Sequence, residues 1–381
     1  MNRSDRKQIR RIISNKTFLF SIILVLIALM LFLLFSRVFF PAPPVTEEPS
    51  QMPAPQTNSG PSPTRVPFLG GQWFLVGYNY PWHSYQDDFA SGSRNIRAQR
   101  AVIASQFADM ASNGTHVVRW FMFNDFSQNP LFDGHGTVEG ISPDVYQSLD
   151  DALAIARSNH IYLILDFIDG PQLLKKDDPS APLHRQIFTD PAVRQSFFDN
   201  AVKPVLQRYG QDPNILAWSP INEPDYETMD VDLDANHVGI PYNDMRAFMQ
   251  EFTQYVHTYT HQLATIENGP LHFVHFWTGL DFDFYSPHYY DWMSSSWPDS
   301  NPIQVPVASL HLDKPVVMGE LPSAGSKFSV SQFLEALYKN GYAGALFWSQ
   351  NSNDEFSNYA GSRAVVKQWS TAHEADVNIQ P

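Results

Sequence analysis

The chain has 381 residues, 43% of them hydrophobic and 17% charged, with no cysteine and a formal net charge of −14. That length accommodates one large domain plus accessories, and the missing cysteine excludes disulfides, thiolate zinc sites and a thiol nucleophile. Residues 1–40 carry seven positive charges and one negative, so setting aside their net +6 leaves −20 on the remainder; that balance excludes nucleic acid as a natural partner and suits a neutral polysaccharide.

Residues 1–16 form a basic tail containing Arg3, Arg6, Lys7, Arg10, Arg11 and Lys16. From Phe18 to Phe35 no residue is charged and only Ser21 is polar. A helix over 17–40, rising about 1.5 Å per residue, spans a hydrocarbon core of roughly 30 Å. The preceding cations predict a cytoplasmic N-terminus and an extracytoplasmic remainder. The alternative is a cleaved signal peptide, whose apolar region is about 7–15 residues long and ends in small residues. Here the apolar run is longer, and Ser36 to Pro41 (SRVFFP) offers no such site. A single-pass anchor is therefore expected, or a secreted protein if the segment is cut. Residues 41–70 are rich in Pro, Ser, Thr and Gln. They hold too few large apolar side chains to offset their ordering entropy and predict an extended stalk.

The folded domain is expected over 71–381. Strands are predicted at 73–80, 115–123, 161–168, 215–221, 271–277, 283–289, 315–319 and 343–348, as short, mostly continuous apolar runs. Buried parallel strands read this way, whereas half-exposed ones alternate. Helices are predicted at 95–112, 143–159, 191–208, 243–265, 329–340 and 362–374; Ser142-Pro143 and Asp190-Pro191 supply a capping oxygen followed by a first-turn proline. Residues 293–311 are poorly periodic. Eight strands alternating with helices predict a (β/α)8 TIM barrel. An open doubly wound sheet is the rival, but no glycine-rich phosphate loop follows any strand.

Active sites of such barrels form at the carboxyl ends of the strands. At those ends stand Arg119 after the second run, Asn222-Glu223 after the fourth, His288-Tyr289-Tyr290 after the sixth, Glu320 after the seventh and Trp348 after the eighth. Glu223 and Glu320 lie ninety-seven positions apart (320 minus 223). Two carboxyl groups facing one sugar are what glycosidic cleavage needs. In order and spacing this set resembles the cellulase and mannanase family, glycoside hydrolase family 5, over roughly 71–375.

The resemblance implies Glu223 as general acid and base, Glu320 as nucleophile, and Asn222 as a donor to the sugar 2-hydroxyl. It further implies Tyr290 (or Tyr289) and Arg119 holding Glu320, His288 lining the sugar subsite, and Trp348 as a stacking platform. Arg119 would lower the Glu320 pKa while a drier setting raises that of Glu223. Trp82 and Trp277, with Tyr80, Trp120 and Trp292, fall near strand ends and fit a sugar-stacking cleft. One departure stands out: Leu165-Asp166-Phe167-Ile168-Asp169 has Ile168 where the family carries a histidine, which leaves the subfamily open.

Asp230 to Asn236 has the opening spacing of a calcium loop, but lacks the sixth-position glycine and has Pro241 at the twelfth, excluding an EF-hand. Asn113-Gly114-Thr115 fits a glycan acceptor in a eukaryotic secretory setting. The expected protein is a retaining hydrolase of β-mannan or β-glucan that needs no metal or organic cofactor and acts as a monomer. The alternatives are a barrel that binds glycan without cutting it, or a related exo-acting β-glycosidase.

Overall fold

A computed structural model describes residues 64–380. The predicted tail at 1–16, the anchor at 17–40 and most of the stalk lie outside the described residues. Among the described residues no helix is long and apolar enough to cross a membrane.

Eight parallel strands run in chain order: β1 Leu75–Asn79, β2 Val117–Phe121, β3 Tyr162–Asp166, β4 Ile215–Ser219, β5 Leu263–Ile266, β6 Phe284–Tyr285, β7 Val317–Pro322 and β8 Gly344–Trp348. Each pairs with its neighbour except β6 with β7, and β8 returns to β1. The two ends of the sheet meet through single bridges, Tyr285 to Val316 and His288 to Glu320, which nearly close it into a barrel. Every residue of β1 to β4 is buried. That is why these segments read as unbroken apolar runs.

The two-residue alternation of a strand sorts side chains between barrel interior and helix layer. Val76, Tyr78, Val118 and Trp120 join the large core shared with the helices. Leu75, Val117, Tyr162 and Ile164 fill a second, smaller cluster. On that inner face Asn79 pairs with Arg119, and Phe121 with Asp166, so the polar residues crown the apolar ones at the strand ends. Gly77 is required where β1 approaches β2, because a Cβ there would run into the Val117 carbonyl.

The helices follow from local signals. α1 is Arg100–Ser112 and α2 is Pro143–Ser158, whose cap Ser142 accepts from the Asp144 N–H. α3 starts at Pro191 under Asp190, which accepts from Ala192 and Val193. It widens to a π turn over Phe198–Val202 and resumes as Lys203–Tyr209; Pro204 has no N–H to continue the ladder. α4 is Tyr242–Tyr259, α5 is Val330–Lys339 with a Ser329–Gln332 capping box, and α6 is Tyr359–Ala372.

Three sequence expectations are corrected. The run 271–277 is not a strand but a 3-10 helix, Leu271–Trp277, entered through Pro270. Leu271, Val274 and Trp277 are all buried, at the three-residue interval that a 3-10 helix brings onto one side. The fifth strand is Leu263–Ile266, the end of a stretch read as helix. The predicted strand 283–289 shrinks to Phe284–Tyr285, since Pro287 cannot donate to a ladder. Lastly, the fold begins at Val66 rather than Gly71. Val66–Phe68 and Gly71–Trp73 form an antiparallel hairpin, and Phe68 packs edge-on against Tyr162 at 5.4 Å.

Candidate active site

Glu223 follows β4 in a left-handed conformation, φ 46° and ψ 51°. For a residue with a Cβ this costs about 1–2 kcal/mol. Its neighbours hold it there: its N–H donates to the Glu267 carbonyl at 2.7 Å, and Pro224 opens a short 3-10 turn. Glu320 lies within β7. Its Oε1 accepts from Arg119 Nη1 at 2.6 Å and its Oε2 from the Tyr290 hydroxyl at 2.8 Å.

Arg119 organises the floor. It donates to Asn79 at 3.0 Å, and through Nη2 to Asp166 and to Asn222 Oδ1, both at 2.6 Å. Committing the Asn222 oxygen to Arg119 turns its Nδ2 toward Asp169 Oδ1, 3.5 Å away, and Asn222 itself lines the cleft. His288 Nδ1 lies 2.9 Å from Glu223 Oε1 and 3.7 Å from Glu320 Oε1. One carboxylate oxygen of Glu223 and one of Glu320 sit within 4.8 Å of each other.

Burial and charge oppose each other here. Burial pushes the His288 imidazole down, but Glu320, Glu223 and Glu267 outweigh it and raise the ring to about 10. Burial raises the Glu320 carboxyl above its ordinary value, against His288 and Arg119, which both favour its charged form. The expectation that Glu223 occupies the drier place is corrected: its side chain is 16% exposed and that of Glu320 is 6%. Burial and the neighbouring Glu223 raise Asp169 to about 7. Glu223, His288 and Glu320 offer three atoms close enough to share a cation. Yet Arg119 already occupies Glu320 Oε1 and would repel a metal there.

Above the floor opens a cleft of about 360 Å³. Trp82, Phe121 and Trp348 form one aromatic group, with Trp82 and Trp348 edge to face at 6.5 Å. Tyr226 and Trp292 form another, 6.4 Å apart. Of the residues singled out in the sequence, Glu223, Glu320, Asn222, Tyr290, Trp348 and Trp82 line the cleft. Arg119 and His288 do not reach it; both are fully buried below and touch the carboxylates instead. Trp277 is misplaced by the sequence reading: it is fully buried and donates to Asp225 Oδ1 at 2.7 Å. Tyr80 and Trp120 are core, and Tyr289 packs against Phe333. Ile168 is buried too, so the cleft meets Asp169 after β3.

Asp166, Asp169, Glu267 and Tyr226 escaped the sequence reading. The first two stand in the same strand-end stretch as Ile168 and could have been found there. Glu267 was hidden by the misplaced fifth strand.

No family model matches the chain. Over 79% of its length it is 23% identical to a mannan endo-1,4-beta-mannosidase of Cryptopygus antarcticus, covering 87% of that protein. Over 76% it is 24% identical to one of Mytilus edulis, again covering 87%. The X-ray structure of the blue mussel beta-mannanase matches with a TM-score of 0.72 at 19% identity, over 84% of this chain and 98% of that one. The Cryptopygus beta-1,4-D-mannanase matches at 0.70 and 22%, over 80% and 93%. The barrel is the fold of these two mannanases. In this chain that fold carries both strand-end glutamates, after β4 and within β7, at the mouth of one aromatic cleft.

Proposed function

We propose that this chain is a glycoside hydrolase of the endo-β-mannanase type, cleaving β-1,4-linked mannan with retention of configuration. The observation that carries this reading is the approach of the Glu223 and Glu320 carboxylate oxygens to within 4.8 Å across the cleft. Retaining enzymes hold their carboxyl groups about 5–5.5 Å apart, whereas inverting ones leave roughly 6.5–9.5 Å for a water. The relatives named above support mannan over glucan as the substrate.

Glu320 attacks the anomeric carbon while Glu223 delivers its proton to the departing glycosidic oxygen, giving a glycosyl-enzyme and a shortened chain. Glu223, now a carboxylate, takes a proton from water, which attacks the same carbon and releases Glu320. Arg119 and the Tyr290 hydroxyl fix the Glu320 oxygens for in-line attack. Asn222 Nδ2 donates to the 2-hydroxyl, and a sugar face stacks on Trp348.

The apolar segment at 17–40 anchors the enzyme, with the barrel outside. Thr64, the first described residue, lies near Gly341 in the turn entering β8, at the face opposite the cleft.

The test is to incubate residues 64–381, and the same fragment carrying Glu320→Ala, with β-mannan and with cellulose, following reducing ends and product anomers. Release from mannan as the β-anomer by the first protein alone is expected. Equal release by both, or an α-anomeric first product, overturns the assignment.

A further inference from the structure

Beneath the cleft floor, just after β5, lies a further carboxylate that the mechanism above does not use. Glu267 is fully buried. Its Oε2 stands 3.4 Å from Arg119 Nε and 3.4 Å from His288 Nε2, and its Oε1 has no hydrogen-bond partner among the described residues. The space it fills is made by Gly319: a Cβ there would collide with Glu267 Oε2 and with Ser286 Oγ. Taking a carboxylate out of water costs several kcal/mol. A fold that leaves room for one beside its nucleophile therefore needs a counter-charge at that place.

His288 shows why. It faces Glu223 through Nδ1 and Glu267 through Nε2, a carboxylate at each ring nitrogen. A neutral imidazole has one N–H and would turn a lone pair toward the other acceptor; only the imidazolium donates to both. The charged groups packed around the ring are Glu223, Glu267 and Glu320, with Asp225 and Arg119 beyond them. Arg119 and His288 supply two buried cations; Asp166 and Glu320 both pair with Arg119, and Glu267 is the carboxylate that reaches Nε2 of His288.

Resting on the mannanase reading, we infer that Glu267 is a positioning residue for the glutamate pair, holding His288 as an imidazolium that in turn orients Glu223 and supports the charged form of Glu320. Glu267 never meets substrate. Its backbone carbonyl adds to the same end, since it fixes the left-handed Glu223 by the 2.7 Å bond from that residue's N–H. With glutamine at 267 the side-chain amide can donate to Nε2, and the ring no longer needs its second proton.

The test uses the active fragment with ¹⁵N-labelled histidine, the His288 signal being assigned with a His288→Gln variant. In Glu267→Gln the His288 titration is expected to move down by about three to four pH units, from about 10 to below 7, and kcat on mannan at pH 8 to fall about 10- to 100-fold with KM unchanged. Glu267→Asp, which keeps the charge, should restore most of both, and Glu267→Met takes the place of the glutamine variant if that one does not fold. An unchanged His288 titration in a folded variant that lacks the charge at 267 overturns the inference, even if stability falls. Its failure is distinct from failure of the mannanase reading, which Glu320→Ala tests independently.

Discussion

Arg119 Nη1 lies 2.6 Å from Glu320 Oε1, although 201 positions separate the two residues. Arg119 serves four acceptors at once, on Asn79, Asp166, Asn222 and Glu320. Removing the cation leaves several buried acids uncompensated, which costs about 3–5 kcal/mol. Arg119→Met should therefore lower the free energy of urea unfolding by that amount and abolish mannan cleavage. Arg119→Lys retains charge but not the planar fork. It should recover part of the stability while kcat stays at least about tenfold low. A lysine variant with wild-type kcat would show that the fork has no role in orienting Glu320.

Glu223 and Glu320 should fail in different ways. An acid is dispensable when the leaving group needs no proton, whereas a nucleophile never is. Glu223→Ala should lose about 10²- to 10⁴-fold on mannan. On a dinitrophenyl β-mannoside it should keep the first step and stall at the glycosyl-enzyme, with azide releasing a β-mannosyl azide. Glu320→Ala should be inactive on both substrates. Azide rescue of the Glu320 variant should give the inverted α-azide; if the Glu320 variant yields the β-azide and the Glu223 variant the α-azide, the roles assigned to the two residues are reversed.

What the sequence made legible follows from where each residue sits. Glu223, Glu320, Asn222, Tyr290 and Trp348 each stand in or just beyond a run buried on both faces, so the barrel period pointed to one rim. Glu267 follows a strand of four residues, Leu263–Ile266, that continues a helical pattern without a break in composition. The neighbouring Leu271–Trp277 offered a better-looking strand, its aromatic and branched residues serving a 3-10 turn instead. Trp277 was lost with it, because a residue assigned to a strand end was in fact a core indole. Ile168 and Asp169 are adjacent just past β3, and only the course of the chain there decides that the isoleucine is buried and the acid meets the cleft. The relative exposure of Glu223 and Glu320 depends on loop packing, which no local pattern encodes.

Two tryptophans of equal size should answer oppositely to substitution. Trp348 lines the cleft and is held by a 2.8 Å bond from its Nε1 to Asp354. Trp348→Ala removes a stacking surface, and about 1.4 kcal/mol of lost sugar contact lowers kcat/KM on mannan about tenfold, with little change in unfolding. Trp277→Phe leaves Oδ1 of the buried Asp225 without its donor, while Oδ2 keeps the Gly269 N–H; the loss costs about 1–3 kcal/mol of stability, while KM stays put. Calorimetry and initial rates on both variants separate the two cases; a Trp277 variant with raised KM and normal stability would return that residue to the cleft.

Stability should also depend on pH through Asp169. Burial and the nearby Glu223 raise its carboxyl from an ordinary 3.8 to about 7. An acid shifted upward keeps its proton in the folded state while the unfolded chain has already released it. Its contribution is thus fully present below about 4 and is lost as pH rises from there to about 7. Asp166 and Asp225 are raised to about 7 as well, chiefly by burial, and act in the same direction. The wild-type fragment should therefore unfold at lower urea concentration at pH 8 than at pH 5. Asp169→Asn carries no charge to release, so its midpoint at pH 8 should exceed the wild-type value, and its fall between the two pH values should be smaller but not absent. Equal pH dependence in the two proteins would mean that Asp169 is ionised in the cleft throughout, with its charge met by solvent rather than by the proton.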